Sequence, residues 1–339
     1  MNFSKLLRSA LLSSLIIGLA IIGLAGCGSL LGQNSGSQEE RNLFTNLPGK
    51  NGAILAVKFD DTTFSHPQEG VEDADIVFVT QVEAGLTRLL AIYSSKYPEQ
   101  VGPVRSARIS DIDILAQFGK VGFAYSGAQK KMRPILSAAN LVNLSAERNS
   151  PKVYPTDPER TPPYAMMLRP NILLEREIEL GIPKDIGIKH GAINDSSTAI
   201  STATIRWPSA RYELRWDDQE KRFLMWHDGN PNLNVEGAQL GSTMMVIQLV
   251  EIHPSEFGDK FGGVTPKSTV VGNGKGYFLR NGRVVDVRWT RPTADAPTTW
   301  TLPDGQPAFF EDGQIWFFLT DREPNFTYPA ASNAPSPQG

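Results

Sequence analysis

The sequence predicts an α+β protein, with an N-terminal α/β layered domain followed by a mainly-β C-terminal domain. Three observations predict it. The first half alternates short runs rich in Val, Ile and aromatics with stretches of helical spacing. The second half is a series of short β-type runs punctuated by Asn-Gly and Asp-Gly turns. All six Trp lie in that second half. The expected boundaries are a signal segment at 1–26, a lipidated Cys and flexible tether at 27–45, the α/β domain at 46–197, the β-rich domain at 198–328 and a disordered tail at 329–339.

The N-terminus begins with Lys5 and Arg8 and no acid, continues without charge from Ser9 to Ala25, and ends Leu24-Ala25-Gly26-Cys27. That order is a positive region, an apolar region and a small-residue cleavage site. The ending looks like a lipobox, in which the Cys27 thiol is diacylated as a thioether. Two acyl chains suffice for stable anchoring, where one does not. The expected location is therefore extracytoplasmic, on the cytoplasmic membrane through diacylglycerol on Cys27. The alternative is an uncleaved signal anchor, for which the apolar stretch is short of the ~20 residues of a spanning helix. Gly28 to Asn42 is polar and rich in Gly and Ser, as in a tether.

In the first half, Ala53–Phe59, Asp75–Val82, Arg88–Tyr93 and Val121–Tyr125 read as strands, with Glu83-Ala84-Gly85-Leu86 as a hairpin connection. Ser106–Phe118 places Ile109, Ile112, Leu115 and Ala116 near helical spacing. Lys130–Ala139 and Asn171–Leu180 are further helix candidates. In the second half the strands are Ala203–Trp207, Arg211–Trp216, Arg222–Trp226, Met244–Ile252, Gly276–Arg280, Arg283–Trp289 and Gln314–Leu319. Asn281-Gly282 is a strong hairpin signal, and Asp304-Gly305 and Asp312-Gly313 are turns.

Several chemistries are set aside. Cys27 is the only cysteine, which excludes an intramolecular disulfide and any catalytic thiol in the folded part. His66, His190, His227 and His253 are scattered without a zinc-motif spacing, so no metal site is established and no cofactor is specified. Gly272-Asn273-Gly274-Lys275-Gly276 lacks Walker spacing and reads as a β connection. Without Lys5 and Arg8 the chain keeps 31 basic against 36 acidic side chains, so no nucleic-acid partner is expected.

The informative segment is Gly102-Pro103-Val104-Arg105-Ser106-Ala107-Arg108. Ser106 is placed to cap the following helix. Arg105 and Arg108 then flank a helix N-terminus, where a cation is unfavourable without a negative partner. Two readings follow: a cradle for phosphate or carboxylate, or an Arg–Asp network with Asp111 and Asp113 pinning strand to helix. Those two carboxylates are also able to hold a divalent cation beside a phosphate. Glu83 and Arg88 bracket the hairpin, either as a cross-turn ion pair or with Arg88 joining the same basic cleft.

Three blocks carry a family resemblance: Asp73-Ala74-Asp75-Ile76-Val77, Val82-Glu83-Ala84-Gly85-Leu86-Thr87-Arg88 and Val101-Gly102-Pro103-Val104-Arg105-Ser106-Ala107-Arg108. They resemble the DUF3048 family of YerB-like bacterial lipoproteins, and Asp113 falls where that family carries an Asp in the next helix. Tyr212–Gly229, Gly272–Lys275, Asn281-Gly282-Arg283 and Gln314-Ile315-Trp316 resemble its C-terminal module. The resemblance covers most of residues 50–322 and implies no defined activity. Pro162-Pro163-Tyr164-Ala165-Met166 stands where the family usually has a His-containing segment, and Ser126-Gly127-Ala128 where it has a Gly-Gly-Ser-like run. A fainter similarity, in the order Asp75, Arg105 to Asp113, and Ala124-Tyr125-Ser126-Gly127, is to LytR-CpsA-Psr phosphotransferases. It implies polyprenyl pyrophosphate held by arginines with a metal.

The expected role is a surface-anchored binding module for an anionic cell-wall component or a wall-assembly protein. Arg88, Arg105 and Arg108 would hold the anion, with Glu83 and Asp113 supporting or catalytic. The alternatives are an enzyme acting on lipid-linked or wall-glycan phosphate, and a structural envelope scaffold.

Overall fold

Four almost wholly buried strands form the middle of the structure, β1 (Leu55–Asp60), β2 (Ile76–Gln81), β3 (Thr87–Tyr93) and, from the far end of the chain, Ile315–Thr320. Their sequences are near-continuous apolar runs because both faces of the sheet are covered. The computed structural model describes residues 39–176, 178–192, 197–259 and 262–329. The expected signal segment, Cys27 and all of the expected tail but Pro329 lie outside those residues.

After β3 come α1 (Ile109–Ala116), β4 (Val121–Ala124), α2 (Arg133–Ala138), β5 (Leu141–Asn143) and α3 (Pro170–Leu174). The second half is strand throughout: β6 (Thr198–Ala199), β7 (Thr202–Trp207), β8 (Ala210–Asp217), β9 (Arg222–His227), β10 (Asn230–Pro231), β11 (Gly241–Ser242), β12 (Met244–Leu249), β13 (Ile252–Gly258) and β14 (Val264–Ser268). It ends with β15 (Gly272–Arg280), β16 (Arg283–Arg291), β17 (Thr299–Thr301), β18 (Ile315–Thr320) and β19 (Asn325–Thr327).

The large sheet runs β17-β16-β15-β12-β18-β2-β3-β1-β4-β5, with β6 against β16. A second sheet runs β10-β9-β8-β7-β19, with β11 against β9, and β13 pairs β14 separately. Successive side chains of a strand point to opposite faces, and the two buried clusters follow that period. Ile76, Phe78, Leu90, Ile92 and Phe317 share one face with Ile114, Leu115 and Phe118 of the α1 region. Val57, Val77, Leu89, Met245 and Trp316 share the other with Ile205, Tyr212 and Phe223 of the second sheet.

The mainly-β C-terminal part is as the sequence predicts. The N-terminal half departs from the expected α/β layering. Among the described residues its α-helices span 8, 6 and 5 residues, a thin cover for the sheet, with the α1 region packed on one face. The helix expected over 171–180 stops at Leu174, and Leu180 instead approaches the bare Cα of Gly122 on β4. One sheet runs through both expected domains. β18 pairs in parallel with β2 from Ile315↔Ile76 to Phe318↔Val79, so the 197/198 boundary separates segments of sequence that share a backbone ladder.

Candidate functional site

The period-2 alternation that fills the core changes character at one end of the sheet. On the α1 face, Ala56 is followed by Lys58 and Asp60, Phe78 by Thr80, and Leu90 is preceded by Arg88. All four polar side chains are buried. Lys58 Nζ lies 2.6 Å from Asp111 Oδ1 and 3.1 Å from the Thr80 hydroxyl. Burial lowers the Lys58 pKa, with the charges of Arg88 and Arg108 adding to it and Asp111 opposing. This pair ties β1 to α1.

At this end of the sheet opens a cleft of about 690 Å³, with Arg88, Arg105 and Arg108 among its lining residues. The three arginines have different partners. Arg108 is fully engaged. Its Nε and Nη2 donate to Glu83 Oε2 at 2.9 and 2.8 Å, and Nη1 donates to the Ala107 carbonyl at 3.1 Å. Glu83 also accepts from the Thr265 hydroxyl. Burial alone would raise the Glu83 pKa, but the bonds and charge of Arg108, with Thr265, hold it below the usual value. Arg105 donates through Nε to Asp60 Oδ2 at 2.5 Å, and its guanidinium carbon stands 5.5 Å from the Tyr164 ring centroid. Asp60 is held low against its burial by two bonds from Thr62 and by Arg105.

Arg88 differs from both. Among the described residues no carboxylate oxygen lies within salt-bridge distance of it, and its hydrogen bond is from Nη1 to the Ser106 carbonyl, 2.9 Å. Burial, then the charge of Arg108, pushes its pKa down to about 9. Asp60 and Glu83 offset part of this from a distance, but the buried guanidinium lines the cleft without a directly paired carboxylate.

The structure thus brings Glu83, Arg88, Arg105 and Arg108 together and leaves Asp113 out. Asp113 pairs with Lys267 at 2.8 Å and is absent from the cleft wall, while Asp60 holds Arg105. Neither is Glu83 the cross-turn partner of Arg88. The turn places Ala84 at φ 59° and Gly85 at φ 72°, and Glu83 pairs with Arg108 instead. Ser106 does not cap α1: the helix starts at Ile109, and Asp111 accepts the Arg108 backbone N–H at 2.7 Å. Asp75, matched above to the phosphotransferase strand, sits at the opposite end of the sheet and accepts from the Ser94 and Ser95 backbone N–H groups at 2.6 and 3.0 Å. β3 separates it from Arg88 by ~20 Å.

Sequence reading misses Lys58 and Asp60, although a Lys and an Asp two apart at the end of an apolar strand were the available signal. It also misses a second cluster behind the cleft. Asp61, the residue after β1, lies 3.3 Å from His66 Nε2 and 3.8 Å from His227 Nε2. No local spacing connects His66 with His227, since β9 delivers the latter from the second sheet.

Comparisons with known proteins agree with this architecture. The family described as "Protein of unknown function (DUF3048) N-terminal domain" matches residues 44–182, and its C-terminal domain counterpart matches 203–317. A 54-residue stretch is 48% identical to "Putative lipoprotein YerB" of Bacillus subtilis (strain 168), covering 16% of this chain and 16% of that protein. The crystal structure of the Bacillus subtilis YerB protein superposes with a TM-score of 0.69 at 18% identity, over 84% of this chain and 99% of that one. At that identity the likeness concerns the fold.

Proposed function

The chain belongs to the DUF3048 family, and from that premise we propose that it is a lipid-anchored envelope protein whose cleft binds the anionic group of an envelope component. The lipoprotein part rests on the lipobox at Cys27 and on the name of the YerB relative. No helix among the described residues is long and apolar enough to cross a membrane.

The binding part rests on one observation, the buried Arg88 that lines the cleft without a carboxylate partner. A phosphate or carboxylate oxygen there would complete its charge, with the Arg105 guanidinium beside it. Charge-assisted bonds to arginine are about twice as strong as neutral ones. Arg108 acts differently, holding Glu83 and the cleft wall in place. Leu86, Met132, Tyr164 and Phe257 give the cleft an apolar side, which suits an organic anion better than a free inorganic one.

The test is a titration of the detergent-solubilised full chain with inorganic phosphate, a polyprenyl phosphate and wall-polymer fragments. Saturable binding by wild type should weaken ~10-fold or more in Arg88→Gln and Arg105→Ala. Arg105→Lys should rescue little, since an ammonium lacks the planar fork. No binding of any probe, or equal binding by folded variants, defeats the reading. Metal-dependent turnover of the lipid phosphate would replace it with an enzymatic one.

A further inference from the structure

The cluster behind the cleft gathers one carboxylate and two imidazoles in a largely buried space. Asp61 is sealed from solvent, and its carboxylate already has three donors: the Tyr212 hydroxyl at 2.8 Å and Gln68 Nε2 at 3.2 Å on Oδ1, and the Thr87 hydroxyl at 2.6 Å on Oδ2. His66 and His227 stack with ring centroids 4.7 Å apart at 16°. The Nε2 atoms of both rings are buried, point into the cluster and make no hydrogen bond. His227 is only 5% exposed. One ligand atom from each of the three residues lies within 4.8 Å of the others.

His66 sharpens the point. Its Nδ1 lies 3.0 Å from Asn232 Oδ1, a pairing in which Nδ1 carries the proton and donates it. In the neutral ring Nε2 is then a bare lone pair, facing a carboxylate oxygen 3.3 Å away. Two lone pairs at that separation call for a positive charge, supplied either by a proton on Nε2 or by a metal ion bound between them. An imidazole whose far N–H is held by an oxygen is also the usual arrangement of a metal-binding histidine. The spacing suits a small ion: with zinc–ligand bonds of ~2.0–2.1 Å, ligand atoms of a tetrahedron stand ~3.4 Å apart. His66 Nε2 lies 3.3 Å from Asp61 Oδ1 and His227 Nε2 lies 3.8 Å from Asp61 Oδ2, so the carboxylate offers an oxygen to each ring near that spacing.

We propose that Asp61, His66 and His227 form a binding site for one divalent transition-metal ion of the zinc class. Its role is structural. Asp61 and His66 belong to the segment that leaves β1 of the large sheet, and His227 ends β9 of the second sheet, so the ion staples one sheet to the other. Tyr212, Thr87 and Gln68 orient the carboxylate, and Asn232 orients His66. The His66 side chain, 16% exposed, marks the side from which the ion and a water as fourth ligand enter.

The experiment uses the untagged full chain in detergent, stripped with a chelator and titrated with Zn²⁺ by calorimetry, with Co²⁺ as a spectroscopic substitute. The expected result is one Zn²⁺ per chain, a raised thermal midpoint, and visible Co²⁺ bands of a tetrahedral site. His66→Gln and His227→Gln should each weaken binding by ~100-fold or more, while His253→Gln, at an exposed position outside the cluster, leaves it unchanged. Wild type that binds no Zn²⁺, or folded His66 and His227 variants that bind it as tightly, overturns the proposal. If those variants fail to fold, wild type decides: no thermal shift and no tetrahedral Co²⁺ bands overturn it as well.

Discussion

Glu83 shows how single side chains set the character of the cleft. It is buried, accepts from both Arg108 and Thr265, and has a pKa held below its ordinary value. A depressed carboxylate pKa contributes stability that is fully present above the unfolded value, near ~4.3, and is lost as pH falls through the folded value. Replacing it leaves the largely buried Arg108 guanidinium unpaired. Glu83→Gln should therefore cost about 3 kcal/mol at pH 7, and the gap to wild type should close towards pH 3. Urea unfolding of both proteins at pH 7, 5 and 3 checks this; a gap that persists at pH 3 would mean the ionised pair is not its source. The arginines of this site are legible in the sequence because the Val-Arg-Ser-Ala-Arg block is compact and its glycine-proline entry is conspicuous. Asp113 is misread because Asp111 and Asp113, two residues apart on one helix, point ~200° apart around its axis. Asp111 turns in to Lys58, and Asp113 turns towards Lys267. His66 and His227 are illegible for a different reason: only the packing of one sheet on the other joins them.

Among the elements, the β15–β16 hairpin is where sequence and structure agree most closely. Asn281 and Gly282 sit at φ 51° and 68°, the doubly left-handed turn that matches strand twist. A Cβ on Gly282 would also stand 2.9 Å from the Trp216 ring nitrogen. Gly282→Ala should thus lower stability by about 1–3 kcal/mol, read as a reduced denaturant midpoint with unchanged slope. An unaltered midpoint would show that the turn tolerates a side chain. The nearby Gly272–Gly276 run is harder to read. It looks like a connection yet lies inside β15, because Gly274 leaves room for the Trp289 ring and the Leu249 carbonyl. Local glycine content signals a turn, whereas here the glycines answer a neighbouring strand that local sequence does not name. The third helix fails similarly: helical spacing over Asn171–Leu180 gives way to packing of Leu180 over Gly122.

At the scale of the whole molecule, the composition shift between the halves is real, and one sheet crosses it. β12 and β18 from the second half continue the ladder of β2, β3 and β1 from the first. Calorimetry of the full chain should give one unfolding transition, and a fragment ending near residue 197 should not fold, since it would expose β2 along its whole length. Two resolved transitions, or a folded fragment, would show that the halves are independent after all. Long-range parallel pairing leaves no trace in periodicity, which explains why the strand list is legible and its order is not.

The position of β18 has a bearing on the life of the chain as well as on its shape. It occupies the seam between β12 and β2, yet its residues, 315–320, follow in sequence every other strand of the large sheet. Until β18 is made, β12 and β2 wait with open, apolar strand edges. A polypeptide that stops before Ile315 would be unfinished at its centre rather than frayed at its end. Completion of the sheet therefore waits on synthesis through residue 320, and copies that stop short of it keep the exposed edges on which proteases and chaperones act.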